Sequence, residues 1–154
     1  MSDINRIKEQ IQFCMRGGLW DQLPPLLDQL HPADIADVIE DAPDDIQNQI
    51  FDLLADETKA DVMSELDHAT EVDILEDLTA EEISDIAEEM APDDAADMIS
   101  ELDQERTEKV LELMEDEDSE EVRELLSYDE DSAGGRMTTD FVALPSHLTS
   151  QDAL

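Results

Sequence analysis

The chain has 154 residues, and its 45 acidic residues against 8 basic ones give a formal net charge of −37 at pH 7. This charge argues against nucleic acid as a binding partner and against direct contact with an anionic membrane surface, because both bind to basic surfaces of a protein. Divalent cations or basic protein surfaces are the natural counterparts. The length predicts one domain, or one domain with a fragment of the next.

The cellular compartment is indicated by features that the sequence lacks. The one cysteine, Cys14, cannot form an internal disulfide, which favours a cytoplasmic protein. Residues 1–10 lack the apolar stretch of a signal peptide, and no apolar run approaches the roughly 20 residues that cross a bilayer. We therefore expect the chain as given to be soluble.

The N-terminal part of the chain predicts two helices. Over residues 2–16, apolar side chains recur at helical spacing, namely Ile4, Ile7, Ile11 and Met15. Gly17 and Gly18 are expected to end this helix, because glycine tolerates the backbone conformation of a helix C-terminus. A second, short helix is predicted to begin at Pro24 and Pro25.

From Leu30 onward the sequence repeats in a degenerate form, with predicted helix starts that recur at short and unequal intervals. Each unit joins a Pro, Ser, Thr or acidic residue near its start to an apolar set such as Ile83, Ile86 and Met90. Helices this short are marginal in isolation, so packing between units must hold them. The predicted fold for residues 1–127 is therefore all-α, a right-handed superhelix (α-solenoid) of short helices.

The composition changes at Tyr128. Residues 128–154 contain a second glycine pair, Gly134 and Gly135, followed by β-favouring residues before Pro145. This pattern predicts a strand, a turn and the first turn of a helix. A lone strand is not stable without partners, so we expect residues 128–154 to be a boundary segment and the truncated start of a second domain.

No catalytic constellation is visible in the sequence. The three histidines, His31, His68 and His147, are scattered, and each is expected at a helix start or in a loop rather than as a metal ligand. The glycine pairs lack the lysine and the strand context of a phosphate-binding loop. We therefore expect no enzymatic activity.

Acidic residues line one side of several predicted helices: Asp34, Asp37 and Asp41; Glu81, Asp85, Glu88 and Glu89; and Asp93, Asp97 and Glu101. Like charges one turn apart repel, so intrinsic helix stability does not explain these faces. Two interpretations stay open at this point. The faces are solvated surfaces, or they bind Mg²⁺ or Ca²⁺, since Mg²⁺ keeps several waters and needs only one or two carboxylates.

The order of these parts resembles the MgtE family of magnesium channels and transporters. Three stretches carry the resemblance: LHPADIADVI at 30–39, DDAADMI at 93–99 and YDEDSAGGRMT at 128–138. The last is similar to the boundary in that family between the cytosolic N-terminal domain and the first of two CBS domains. Residues 1–127 would then be the superhelical N-terminal domain, and residues 128–154 the beginning of the CBS domain.

The resemblance implies a function and a set of ligands. Family members are homodimers with a membrane pore, and their N-terminal and CBS domains sense Mg²⁺ at the cytoplasmic face of the membrane, where bound ions favour the closed pore. The implied metal ligands are Asp93, Asp94 and Asp97, with Asp61 as a weaker match. The implied cofactor is Mg²⁺ or another divalent cation such as Ca²⁺, and the implied partners are the CBS and pore domains of the same full-length chain.

A different class of function stays open beside this one, an acidic α-solenoid adaptor that binds a basic protein partner. The full-length gene distinguishes the two. A channel needs paired CBS domains followed by several apolar runs of about 20 residues, whereas an adaptor needs neither.

Overall fold

A computed structural model of the chain describes residues 3–128, and in that range every regular element is a helix. A short 3₁₀ helix, Trp20–Gln22, lies between the first two α-helices. The α-helices are α1 (Asp3–Gly17), α2 (Pro24–Leu27), α3 (Pro32–Glu40), α4 (Asp44–Phe51), α5 (Asp56–Met63), α6 (His68–Asp77), α7 (Ala80–Glu88), α8 (Pro92–Ser100), α9 (Gln104–Leu113) and α10 (Asp116–Leu126). The all-α prediction is confirmed over these residues, and the strand predicted after Tyr128 lies outside them.

The helices from α3 to α10 follow a strict register. Their first residues are evenly spaced along the chain, from Pro32 of α3 to Asp116 of α10. The sequence predicted unequal intervals between these starts, so the repeat is more regular than its composition suggests. At 8 to 11 residues each, these helices are marginal alone and depend on packing.

In most cases the packing joins a helix to the second helix along the chain. One layer contains α3, α5, α7 and α9, each in contact with the next. In the other layer, α4 packs on α6 and α8 packs on α10. The structural unit is therefore a pair of consecutive helices that repeats along the chain, as in an α-solenoid.

The core between the layers is mainly aliphatic. In α8, Ala95, Met98 and Ile99 are buried, and Leu102 is half-buried just beyond the helix. Pro92 occupies the first turn of α8, where its missing N–H costs nothing. Among the described residues, no helix is long and apolar enough to cross a membrane.

The N-terminal helices pack onto one end of this array. Gly18 ends α1 with a positive φ of 67°, the left-handed conformation that glycine tolerates. Cys14 is a buried core residue at 5% exposure. The Lys8 ammonium lies 3.0 Å from an Asp34 carboxylate oxygen and 2.8 Å from one of Asp37, which ties α1 to α3.

Helix ends are held together by side chains from other helices. Glu40, at the end of α3, accepts a hydrogen bond from the Asp67 N–H at 2.8 Å, just before α6. Glu88, at the end of α7, does the same for the Glu115 N–H at 2.6 Å, just before α10. The interval from Glu40 to Glu88 equals the interval from Asp67 to Glu115. The two bridges are therefore the same contact, repeated after two pairs of helices.

Arg106 closes the C-terminal end of α6 from α9. Its guanidinium donates to the Leu75 carbonyl at 2.7 Å and to the Leu78 carbonyl at 2.8 Å. These carbonyls lie at a helix C-terminus, where the last C=O groups lack intrahelical partners. Arg106 is therefore a structural cation, distinct from a surface charge.

We expect Arg106→Ala to lower the free energy of unfolding by about 1–3 kcal/mol, because it leaves partly buried carbonyls without their donor. Urea denaturation measures this difference. Lys109→Ala is the matched control, since it removes the same charge from an exposed position of the same helix, and it should change stability by less than about 0.5 kcal/mol. Equal effects of the two changes would show that net charge, and not these hydrogen bonds, is what matters.

Candidate divalent-cation site

Two of the predicted ligands, Asp61 of α5 and Asp94 of α8, line one cleft of about 370 Å³. Glu65 and Glu89 line it too, so four carboxylates border this cleft, together with the imidazole of His31. Within residues 3–128, no lysine or arginine lines it. Oxygen ligands of this kind are the ones that Mg²⁺ and Ca²⁺ prefer.

The repeat explains why residues so far apart in sequence meet here. The loops after α5 and before α8 come together because α5 packs on α7, and α8 directly follows α7. Asp94 stands in the first turn of α8, where the helix dipole favours a negative charge. Asp61 and Asp94 are both exposed, so their carboxylates are open to an ion from solvent.

Asp93 contributes a different feature. Its Oδ1 atom is buried and has no hydrogen-bond partner among the described residues, although the residue as a whole is only half-buried. A buried carboxylate oxygen without a partner costs free energy. A bound cation, or a donor from another domain, would remove this cost.

Asp97 lies in a second acidic group, between α6 and α8. Burial, and then the charge of Glu101, raise the pKa of the half-buried Glu71, and the charge of Asp97 adds to the same effect. Nε2 of His68 lies 3.8 Å from Oε2 of Glu101 and opposes the shift. The carboxylates of Asp97 and Glu101 are therefore near enough to Glu71 for their charges to act on it.

The four predicted ligands thus do not converge on one centre. Asp61 and Asp94 share the cleft, whereas Asp97 does not line it and is near enough to Glu71 of α6 for its charge to act on that carboxyl. Within the described part of the chain, no group of three or more acidic, histidine or cysteine side chains is arranged to hold a metal ion on its own. Their role as ligands stays a prediction.

The structure shows which acidic surfaces already pair with a base of the chain, a distinction that the sequence alone could not make. On α3, Asp34 and Asp37 both pair with the Lys8 ammonium, so that face already holds a cation supplied by the chain. Among the residues that the structure describes, no lysine or arginine pairs in this way with Asp61 or Asp94. The α5–α8 cleft is the better candidate for an external ion.

Several residues of the candidate site escaped the sequence reasoning. Glu65, Glu89 and His31 line the cleft, and the charge of Asp97 acts on Glu71. Of these residues only Glu89 had been placed on an acidic face, and none was named as a ligand. His31 and His68 do stand at helix starts as predicted, the first as the cap of α3 and the second as the first residue of α6. The constant register of the helices was the missing signal, because it predicts which helix ends meet.

The raised pKa of Glu71 gives a prediction about pH. Over the interval between the unfolded and folded pKa values, the folded state binds more protons, so the free energy of unfolding falls as pH rises through that interval. Glu71→Gln should therefore raise the melting temperature at pH 7, and the gain should vanish below about pH 4, where the free carboxyl is itself protonated. Glu76→Gln, an exposed change on the same helix, is the control in thermal melts at both pH values. A constant difference between Glu71→Gln and the parent at both pH values would contradict this assignment.

Comparisons with known proteins place the chain in a family. The model of the MgtE intracellular N domain matches residues 30–131. A solved structure of the cytosolic domain of the Mg²⁺ channel MgtE, in complex with ATP, is 26% identical with a TM-score of 0.78, covering 89% of this chain and 56% of that one. The soluble part of a magnesium transporter shares the fold at 22% identity and a TM-score of 0.76, covering 91% of this chain and 56% of its own.

No curated protein matches the sequence. The chain spans a little over half the length of the two solved structures, since it covers 56% of each. The family match contains the cleft lined by Asp61 and Asp94 and omits α1 and α2, which precede residue 30. Because this match extends over more than half of the sequence, the chain belongs to the family of MgtE intracellular N domains.

Proposed function

We propose that this chain is the Mg²⁺-sensing regulatory domain of an MgtE-type magnesium channel or transporter, at the cytoplasmic face of the membrane. Mg²⁺ binds its carboxylates at the interface with the CBS domains of the full-length chain and favours the closed pore. The observation that carries this proposal is the meeting of Asp61 and Asp94 in one cleft. The family resemblance implies both residues as ligands, and nothing in the sequence alone indicates that they lie close together.

The chemistry of Mg²⁺ suits such an open site. Mg²⁺ gives up its waters reluctantly and is commonly held by one or two carboxylates, with water filling the other positions. A cleft of about 370 Å³ has room for a hydrated ion. Ca²⁺ also prefers oxygen ligands and is expected to replace Mg²⁺ there.

Within the described residues, the site has too few ligands to hold an ion tightly by itself, and this supports a role as a sensor. An ion shifts a conformational equilibrium only by its differential affinity for the two states. A half-site on this domain binds weakly by itself and tightly only when the CBS domain supplies further oxygens. The ion then favours the compact arrangement of the homodimer, in which both domains approach.

Asp93 and Asp97 support the same proposal from other positions on α8. The Oδ1 of Asp93, which has no partner among the described residues, is a buried acceptor in need of a positive charge or a donor. Asp97 is exposed one turn later, beside the carboxylates of α6. A cation near either residue would offset like-charge repulsion as well as bind.

Stability in different salts should separate site binding from diffuse screening. With a net charge of −37, self-repulsion destabilises the compact state, and salt screens it over a Debye length of about 8 Å at physiological ionic strength. We expect the melting temperature to rise with NaCl, and to rise further with MgCl₂ at equal ionic strength. Differential scanning calorimetry measures both. Equal shifts of the melting temperature in the two salts would mean that both salts only screen the charges. An acidic adaptor for a basic protein would show the same behaviour.

Charge-neutralising variants should locate the effect. Asp61→Asn with Asp94→Asn, and separately Asp93→Asn with Asp97→Asn, should reduce the extra stabilisation by Mg²⁺ while leaving the effect of NaCl almost unchanged. In the full-length channel, patch-clamp recording should find these variants conductive at Mg²⁺ concentrations that close the parent.

The control for these variants must remove the same charge elsewhere. Asp34 and Asp37 are unsuitable because their loss would also release Lys8. Glu81→Gln with Asp85→Asn is suitable, since both residues are exposed and one turn apart on α7. If all three double variants respond to Mg²⁺ as the parent does, the named carboxylates are not the ligands.

A further inference from the structure

The two layers of the solenoid differ in continuity. In the first layer, α3, α5, α7 and α9 form an unbroken series of close contacts. In the second layer, α4 packs on α6 and α8 packs on α10, but α6 and α8 pack less closely than either pair. The weakest lateral contact of the second layer therefore lies between α6 and α8.

The hydrogen-bonded bridges between helix ends are also interrupted next to α6 and α8. Glu40 bridges the end of α3 to the start of α6, and Glu88 bridges the end of α7 to the start of α10. The position halfway between these two glutamates is Ser64, at the end of α5. Its short side chain donates to the Ala60 carbonyl of its own helix at 3.3 Å and makes no bridge to α8. The α5–α8 cleft lies where this bridge would be.

Electrostatic repulsion also disfavours close packing between α6 and α8. The charges of Asp97 in α8 and of Glu101 just after it raise the pKa of Glu71 in α6, and His68, which is mostly exposed, opposes them. Lys8 neutralises a comparable acidic pair on α3, and within residues 3–128 no lysine or arginine does so for Glu71. Repulsion between α6 and α8 therefore favours their separation.

We propose that the solenoid has a compliant joint between α6 and α8, at which the part that ends with α6 tilts against the part that begins with α8. The continuous α5–α7 contact of the other layer is the pivot. Tilting opens or closes the gap between α6 and α8 without breaking the first layer. This property belongs to the polypeptide alone and does not depend on the proposed binding of Mg²⁺.

Pulsed electron paramagnetic resonance on the whole chain in EDTA tests the joint. Nitroxides at Glu76→Cys and Ser100→Cys span α6 and α8, whereas nitroxides at Ser100→Cys and Glu124→Cys span α8 and α10 at the same separation in sequence. All three positions are exposed, and Cys14→Ala removes the native thiol. We expect a broader distance distribution for the first pair. Equal widths would overturn the proposal.

Variants that restore the missing bridge between α5 and α8 provide a second test of the joint. Ser64→Gln supplies an acceptor of the length found at Glu40 and Glu88 without adding charge, and should narrow the α6–α8 distribution while leaving the α8–α10 distribution unchanged. Ser64→Met has the same reach without an acceptor and should not narrow it. Glu71→Gln, on the opposite side of the gap, should narrow the same distribution by relieving repulsion. If neither Ser64→Gln nor Glu71→Gln narrows it, the joint does not exist as proposed.

Discussion

The helices of the repeat are held mainly by the burial of one apolar stripe, in most cases against the helix two positions along the chain. Helices of 8 to 11 residues gain little from their own hydrogen bonds in water. In α8, the buried residues Ala95, Met98 and Ile99 supply that stripe, and equivalent sets occur in the other units. The constant register follows from this constraint, since a helix that began one residue late would turn its stripe by about 100°.

The same constraint fixes where the acidic residues can go. With one side of each helix committed to the core, the carboxylates occupy the remaining surface and repel one another. Several of the few bases are placed where they hold elements together: Lys8 joins α1 to α3, Arg106 closes α6, and Lys59 lies 6.0 Å from the ring centre of Phe51. In the described part of the chain, no lysine or arginine lines the α5–α8 cleft, so the repulsion among its carboxylates is left for ions or a partner to relieve.

Much of the fold could be predicted because helix signals are local. Apolar spacing, Pro24 at a helix start and Gly18 at a helix end all act within a few residues, and each prediction is confirmed. The register was less visible, because the first residues of the helices are as different as Pro32, His68 and Gln104. The proximity of Asp61 and Asp94 could not follow from local patterns at all. It depends on stacking between distant helices, and only the resemblance to a family singled out both residues.

The alternation of layers has a consequence for how such a domain can change in length. Whether a helix joins the layer of α3 or the layer of α4 depends on its place in the order of the chain. Loss or gain of a single helix with its loop would move every later helix to the opposite layer and separate it from the partners that its stripe fits. Loss or gain of a helix pair keeps each later helix in its own layer. The domain can therefore grow or shrink by whole pairs of helices, and a change of half that size is a change of fold.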